Sequence, residues 1–384
     1  MKRKCDFLLF IIITVILMAI HLKFTKYEWQ HLMLKPLPWT YWTNMVFESP
    51  KYNYTESQFD STRFNKDIGV VFLVYPKSLL LCYTAINFLK LYSSVNYPIE
   101  IWYHSQETSR ELLTIFDNVY LMDIKNYNIS INSELDHQYH LKSTAMLYST
   151  FKKVIYIDTD ALILSDISKI INQTNKTVIA AKDFWFTPKS NPIYSILNIT
   201  PKNDWDMEAG FMYVDKSDMN TLKSLQLAND LNINHHIFNN YIHGDKDTFN
   251  VAFNKYNVAI DWLDSPGIMT PNFYSSRALG MAHFYQNDLV LIHLTLFKSV
   301  SIIPDNVFTW VWRVKIHGSD YQNYFNVGTI WHFIHPKCVM PLNASISANF
   351  WKFRHEAANL LYAMGYVFDY RMGDHLIRFI KSNQ

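Results

Sequence analysis

Cysteine is scarce in this chain, with three in 384 residues: Cys5, Cys82 and Cys338. So small a number excludes a disulfide-dense scaffold and a cysteine-built zinc cluster. Charge of one sign is lacking too. Net charge is +2 and no basic stripe stands out, so nucleic acid is not an expected partner. Internal repeats and low-complexity blocks are absent. No Gly-x-Gly-x-x-Gly follows the first apolar run, so a dinucleotide fold would lack its phosphate loop. What the chain has in quantity is hydrophobic (49%) and aromatic (16%) side chains. These suffice for a substantial core in one large domain or two ordinary ones.

The N-terminus carries Lys2, Arg3 and Lys4, then an apolar run from Phe7 to Leu22, then Lys23. The run is short for an average bilayer but fits a thin early-secretory membrane with snorkelling lysines at its ends. A cleaved signal peptide is the competing reading, yet His21 and Leu22 stand where a small-x-small site would precede Lys23. The expectation is a cytosolic tail (1–6), a signal anchor (7–22) and a lumenal stem (23–66), oriented by the positive-inside rule. Asn-x-Ser/Thr acceptors at Asn53, Asn128, Asn172, Asn175, Asn198 and Asn343 all follow the anchor. In a lumen, Cys82 and Cys338 are free to pair.

From Ile68 onward strands and helices alternate. "IGVVFLVY" (68–75) is a β-branched run that reads as a buried strand, and "LLLCYTAINFLKLYSS" (79–94) carries a helical stripe. "PIEIWYH" (98–104), "SRELLTIFD" (109–117) and "NVYLMDI" (118–124) read as strand, helix and strand. "LKSTAMLYSTF" (141–151) is a further helix before "KVIYIDTD". The pattern is that of an α/β fold with a mostly parallel central sheet flanked by helices. Ligands bind such sheets beyond the carboxyl ends of their strands. Asp158-Thr159-Asp160 stands at one of those ends. Two carboxylates at i and i+2 offer hard oxygen ligands for Mg²⁺ or Mn²⁺, ions that bridge to substrate phosphates. A helix N-cap pair is the plainer alternative.

Further stretches bear on that choice. "YPIEIWYH" (97–104), "YHLKSTAMLYSTFKKVIYIDTDALILSDI" (139–167), "AAKDFW" (180–185), "MEAGFMYVDKS" (207–217), "GDKDTFNVAF" (244–253) and "LVLIHLTLFK" (289–298) occur in this order. Together they resemble the fungal Golgi α-mannosyltransferases that extend mannan branches (glycosyltransferase family 71), with "GDKDTF" the most specific piece. More distantly they resemble glycogenin-type retaining transferases. Glu208 in place of Asn, and Lys246 in place of Gln, depart from the glycogenin pattern.

The resemblance implies a GT-A type nucleotide-sugar-binding fold over residues 67–384. It implies Mn²⁺ held by Asp158, Asp160 and His293, and donor contacts from Asp158, Asp160, Asp183, Lys142 and Lys298. Asp245, Lys246, Asp247 and Glu208 become the catalytic candidates. Asp245 also reads as a helix N-cap with Asp247 in the first turn, and His332 and His335 are alternative ligands to His293. The implied reaction is retaining transfer of mannose from GDP-mannose to a mannose-terminated glycan on a glycoprotein, in the Golgi lumen. A glycogenin-like enzyme using a UDP-sugar and a non-catalytic lumenal glycan-binding protein are the rivals. Glycoside hydrolysis by Asp158 and Asp160 is disfavoured, because side chains at i and i+2 lie too close to flank a glycosidic bond.

Overall fold

The computed structural model describes residues 64–127, 140–183, 187, 189–201, 206–238, 241–242, 244–264, 266–270, 280–294, 310–314, 334–341, 344–370 and 377–381. The tail, anchor and most of the stem, and Lys298 and His332, lie outside them. No helix among the described residues is long and apolar enough to cross a membrane.

The strands of the first half are β1 (Lys66–Val74), β2 (Ile99–Tyr103), β3 (Val119–Asp123), β4 (Phe151–Ile157), β5 (Ala161–Ile163), β6 (Val178–Lys182), β7 (Met207–Asp215) and β8 (Ile260–Trp262). Seven of them form one sheet in the order β3-β2-β1-β4-β7-β6-β8. Its left half is parallel throughout, with Val70 opposite both Ile99 and Ile155. Val70 to Val74 are all buried, as expected of a strand covered on both faces. The local pattern identifies β7 as a strand but not its direction, and β7 runs antiparallel to both β4 and β6. The sheet is therefore mixed, with one reversed strand among six aligned ones.

Helices cover both faces. On one lies α1 (Leu79–Tyr92), entered through a proline-led turn at Pro76–Ser78. The segment 109–117 forms a 3₁₀ helix over Arg110–Ile115 in place of an α-helix. On the other face lie α2 (Leu141–Tyr148), α5 (Met219–Ile233) and α7 (Asp245–Lys255). Between them in sequence come α3 (Ile167–Gln173), α4 (Pro192–Ile196) and α6 (His235–Phe238). Lys216, almost fully buried, donates to the carbonyls of Met146, Leu147 and Ser149 at 2.8–3.2 Å and so closes the C-terminal end of α2.

A second sheet joins the first through the chain just after β4. It comprises β5 with β9 (Gly267–Thr270), β10 (Gly280–Tyr285), β11 (Asp288–His293), β12 (Trp310–Val314) and β13 (Ile334–Pro341), in the order β13-β12-β9-β10-β11-β5. The late strand ending in His293 thus lies in this antiparallel sheet and not in the central one.

The tail closes the α1 face. Helix α8 (Ala344–Ala363) places Ile346, Phe350, Ala357 and Leu361 in the shared core, and Phe353 meets Phe88 edge-on at 5.7 Å. A hairpin of β14 (Tyr366–Tyr370) and β15 (Ile377–Lys381) follows. Cys82 is a free thiol buried in α1, and the side chain of Cys338 lies outside the described residues. Asn172, Asn175 and Asn198 are exposed, whereas Asn53, Asn128 and Asn343 lie outside the described residues.

Candidate active site

The Asp-x-Asp stretch is the joint between the two sheets. β4 ends at Ile157, the next three residues turn with Ala161 N–H donating to the Asp158 carbonyl (3.0 Å), and β5 begins at Ala161. Neither carboxylate caps a helix here, which removes the N-cap alternative. β5 pairs with β11 so that Ala161 stands opposite His293, and Leu294 N–H donates to the Asp160 carbonyl (2.9 Å). This register brings together residues 133 positions apart: His293 Nε2 is 3.0 Å from Asp160 Oδ1 and 3.7 Å from Asp158 Oδ2. One donor atom from each of the three lies within 4.8 Å of the others. Two carboxylate oxygens and an imidazole nitrogen converging in this way fit a hard-to-borderline divalent cation such as Mn²⁺.

Glu208 lies behind the histidine. Its Oε1 accepts from Gly210 N–H (2.9 Å) and sits 2.7 Å from His293 Nδ1, while Oε2 is 3.4 Å from Nε2 of the fully buried His283. Burial alone would depress the His293 imidazole. The charges of Glu208 and Asp160 outweigh it and push the group up to about 10. Burial works against the Glu208 charge, but His293 and His283 hold the carboxyl well below its usual range.

Lys142 on α2 is also buried, and its ammonium is shared by Asp158 Oδ2 (3.0 Å), the Ala209 carbonyl (3.0 Å) and Asp245 Oδ2 (2.8 Å). The residue expected to meet donor phosphate is thus already bound to three oxygens. Tyr156 donates to Asp158 Oδ1 (2.8 Å) from two residues earlier in β4. Asp158 is therefore held from both sides, and burial with that neighbouring charge pushes the Tyr156 phenol well up.

A second group surrounds Lys246. Gly244, at φ 77°, is the N-cap of α7, so Asp245 is the first helical residue and not the cap. Asp245 and Asp247 then lie in the first turn, where the helix dipole favours negative charge. Lys246 Nζ bridges Asp247 Oδ1 (2.8 Å) and Asp183 Oδ2 (3.0 Å), the latter just past the end of β6. Lys298 and His332 lie outside the described residues, as does the His335 side chain.

Sequence reasoning passed over Asp206, which is buried and accepts from Thr187 Oγ1 (3.0 and 3.2 Å) and Asn250 Nδ2 (3.1 Å). The available signal was its place two residues before Glu208, on the same side of an extended chain. Burial and the charge of Asp247, opposed by Lys246, push its carboxyl up to about 7. The folded chain therefore keeps a proton that the unfolded chain releases, and stability falls as pH rises from about 4 to about 7. Asp206→Asn keeps the acceptor oxygen and removes the titration. It is expected to stabilise the fold above pH 7 by on the order of 2 kcal/mol, and to have little effect near pH 4. Melting temperatures of both proteins across pH 4–8 test this, and parallel curves would refute it.

Residues 67–177 match a protein family described as "Mannosyltransferase putative". The match covers under half of the chain and supports a glycosyltransferase family. Solved structures similar to this chain include the WbbM bifunctional glycosyltransferase (15% identity, TM-score 0.37, covering 52% of this chain and 39% of that one). Others are the galactosyltransferase LgtC with donor and acceptor sugar analogues (11%, 0.37, 51% and 73%) and mouse xyloside xylosyltransferase 1 (12%, 0.36, 52% and 85%). This chain thus spans well under half the length of WbbM. No curated protein matches it.

Proposed function

We propose that this chain is a metal-dependent retaining glycosyltransferase that moves mannose from GDP-mannose to a mannose-terminated glycan on a glycoprotein. In this reading residues 7–22 anchor it in the Golgi membrane and residues 67–384 form a lumenal catalytic domain of GT-A type. The observation that carries it is the meeting of Asp158, Asp160 and His293 beyond the carboxyl end of β4. The matched family's description supports mannose as the sugar.

Asp158, Asp160 and His293 would hold Mn²⁺, which when bound neutralises the diphosphate leaving group. Lys142 fixes Asp158 to Asp245 and so sets the distance between the ligand pair and α7. Asp183, Lys246 and Asp247 present a charged, nearly buried edge suited to hydrogen-bonding the hydroxyls of the donor sugar. The acceptor oxygen bonds to the anomeric carbon as the bond to the diphosphate breaks on the same face. The acceptor proton passes to the departing phosphate oxygen, so no protein nucleophile is required. Holding the charged groups fixed and dry is then the main contribution of the protein.

The test is release of nucleoside diphosphate by the full-length chain, with a mannose acceptor, from GDP-mannose and from UDP-glucose, UDP-galactose and UDP-N-acetylglucosamine. Release from GDP-mannose alone, present with Mn²⁺ and lost with EDTA, is the expected result. Turnover of a UDP-sugar would reassign the donor to the glycogenin-like rival. Silence on every donor would favour a lumenal glycan-binding protein.

A further inference from the structure

We propose that Glu208 is a positioning residue, which holds His293 through Nδ1 so that Nε2 is the nitrogen turned toward Asp158 and Asp160. The inference rests on the metal-site reading above and concerns how this chain aims its one nitrogen ligand.

Three features single out Glu208. The first is its place: a glutamate near the start of a nine-residue strand whose first eight residues are all buried. Burying an ionised carboxylate is costly unless specific partners compensate. The second is that both hydrogen bonds to its carboxylate converge on one oxygen, Oε1, while the other makes only a longer contact to a histidine. Oε1 accepts the Gly210 N–H at 2.9 Å and the His293 Nδ1–H at 2.7 Å, and Oε2 faces His283 at 3.4 Å from the second sheet. The third is the surface on which the ring rests. A Cβ on Gly210 would come within 2.4 Å of His293 Nδ1, so the imidazole packs directly on the backbone of β7.

The geometry also argues against Glu208 as a substrate contact. It touches the Nδ1 side of the ring, while the side toward Asp160 carries Nε2 at 3.0 Å. The imidazole therefore stands between Glu208 and the carboxylate pair. A carboxylate accepting from Nδ1–H fixes the tautomer and ring orientation of a histidine ligand and raises its basicity. Losing such a partner typically lowers metal affinity by about 10- to 100-fold.

The experiment measures Mn²⁺ affinity on the full chain by calorimetry, with ¹⁴N coupling to bound Mn²⁺ read by pulsed electron paramagnetic resonance. The variants are Glu208→Ala, Glu208→Gln and His293→Ala, each with its melting curve. Wild type should bind one ion with ¹⁴N coupling, and His293→Ala should lose that coupling. Glu208→Ala should weaken binding by about 10- to 100-fold and broaden or abolish the coupling. Glu208→Gln keeps an acceptor oxygen of the same reach in the same space, so it should retain the coupling and most of the affinity. It also preserves the test should Glu208→Ala fail to fold. Wild-type affinity and coupling in both Glu208 variants would overturn the positioning role alone. So would a raised KM for donor or acceptor at unchanged Mn²⁺ affinity, which would make Glu208 a substrate contact. Failure of wild type to bind Mn²⁺ would instead overturn the metal reading, and this inference with it.

Discussion

Asp160→Ala is expected to reduce nucleoside-diphosphate release by roughly a thousand-fold or more, with the protein still folded. Asp160 is almost fully buried, and one carboxylate oxygen lies 3.0 Å from His293 Nε2. It is the member of the trio that links the other two, because its backbone carbonyl also receives the Leu294 N–H that holds β11 beside the turn. The side chain is not what forms the turn. Ala161 N–H to the Asp158 carbonyl and the β5–β11 ladder are backbone bonds, and alanine leaves them intact. Removal of the Asp160 carboxylate takes one of two anionic partners from the buried His293 imidazole, while Glu208 still holds the ring through Nδ1. The variant should therefore melt below wild type yet remain folded, and its melting curve separates that loss from the loss of turnover. Melting curves, Mn²⁺ calorimetry and donor turnover on the same preparation decide it. A variant that binds Mn²⁺ and turns over like wild type would remove Asp160 from the ligand set.

Much of this arrangement was legible in the sequence because it is local. The β-branched run at 68–75, the helical stripe at 79–94 and the carboxylates after "VIYI" each depend on neighbours within a few residues. The direction of β7 is not local. Its nine residues alternate in the same way whichever way they run, and only pairing with β4 and β6 on either side fixes them antiparallel.

The same holds for the site. Asp160 meets His293 only because β5 and β11 choose one register, and a slip of one residue would turn His293 to the other face. His283, beneath Glu208, became visible only when β10 was set against β11. Tyr156 was legible in principle, since residues two apart on a strand share a face. Its tie to Asp158 was overlooked because an aromatic in an apolar run reads first as core. Lys142 shows a different limit. Residue type and position put it near the site, but its partners, Asp158, Ala209 and Asp245, come from three separate segments.

Gly210→Ala is expected to be severely damaging, because the added methyl group would press on the imidazole at the centre of this site. The carbon would stand 2.4 Å from His293 Nδ1, 2.7 Å from Cε1 and 2.9 Å from Cγ, all well inside van der Waals contact. The backbone cannot withdraw easily. Gly210 donates to Glu208 Oε1 and accepts from Asp158 N–H (both 2.9 Å), so moving it would disturb one ligand directly and the histidine's carboxylate partner as well. The ring cannot withdraw easily either, since it is held through Nδ1 by Glu208 and approached from β10 by the chain at Gly280. A Cβ at Gly280 would come within 2.1 Å of the His293 carbonyl. Overpacking a rigid interior typically costs about 1–3 kcal/mol, and breaking the buried Glu208–His293 contact adds to it, for a total on the order of 3–5 kcal/mol. The variant should therefore melt well below wild type. Whatever fraction remains folded should bind Mn²⁺ at least about 100-fold more weakly, because both the histidine and its partner are displaced. A second change tests the cause. Combining Gly210→Ala with His293→Ala opens the space that the new methyl needs, so the double variant should regain stability relative to Gly210→Ala alone while still failing to bind the metal tightly. Stability losses that simply add across the two sites would show that the glycine serves the strand and not the histidine.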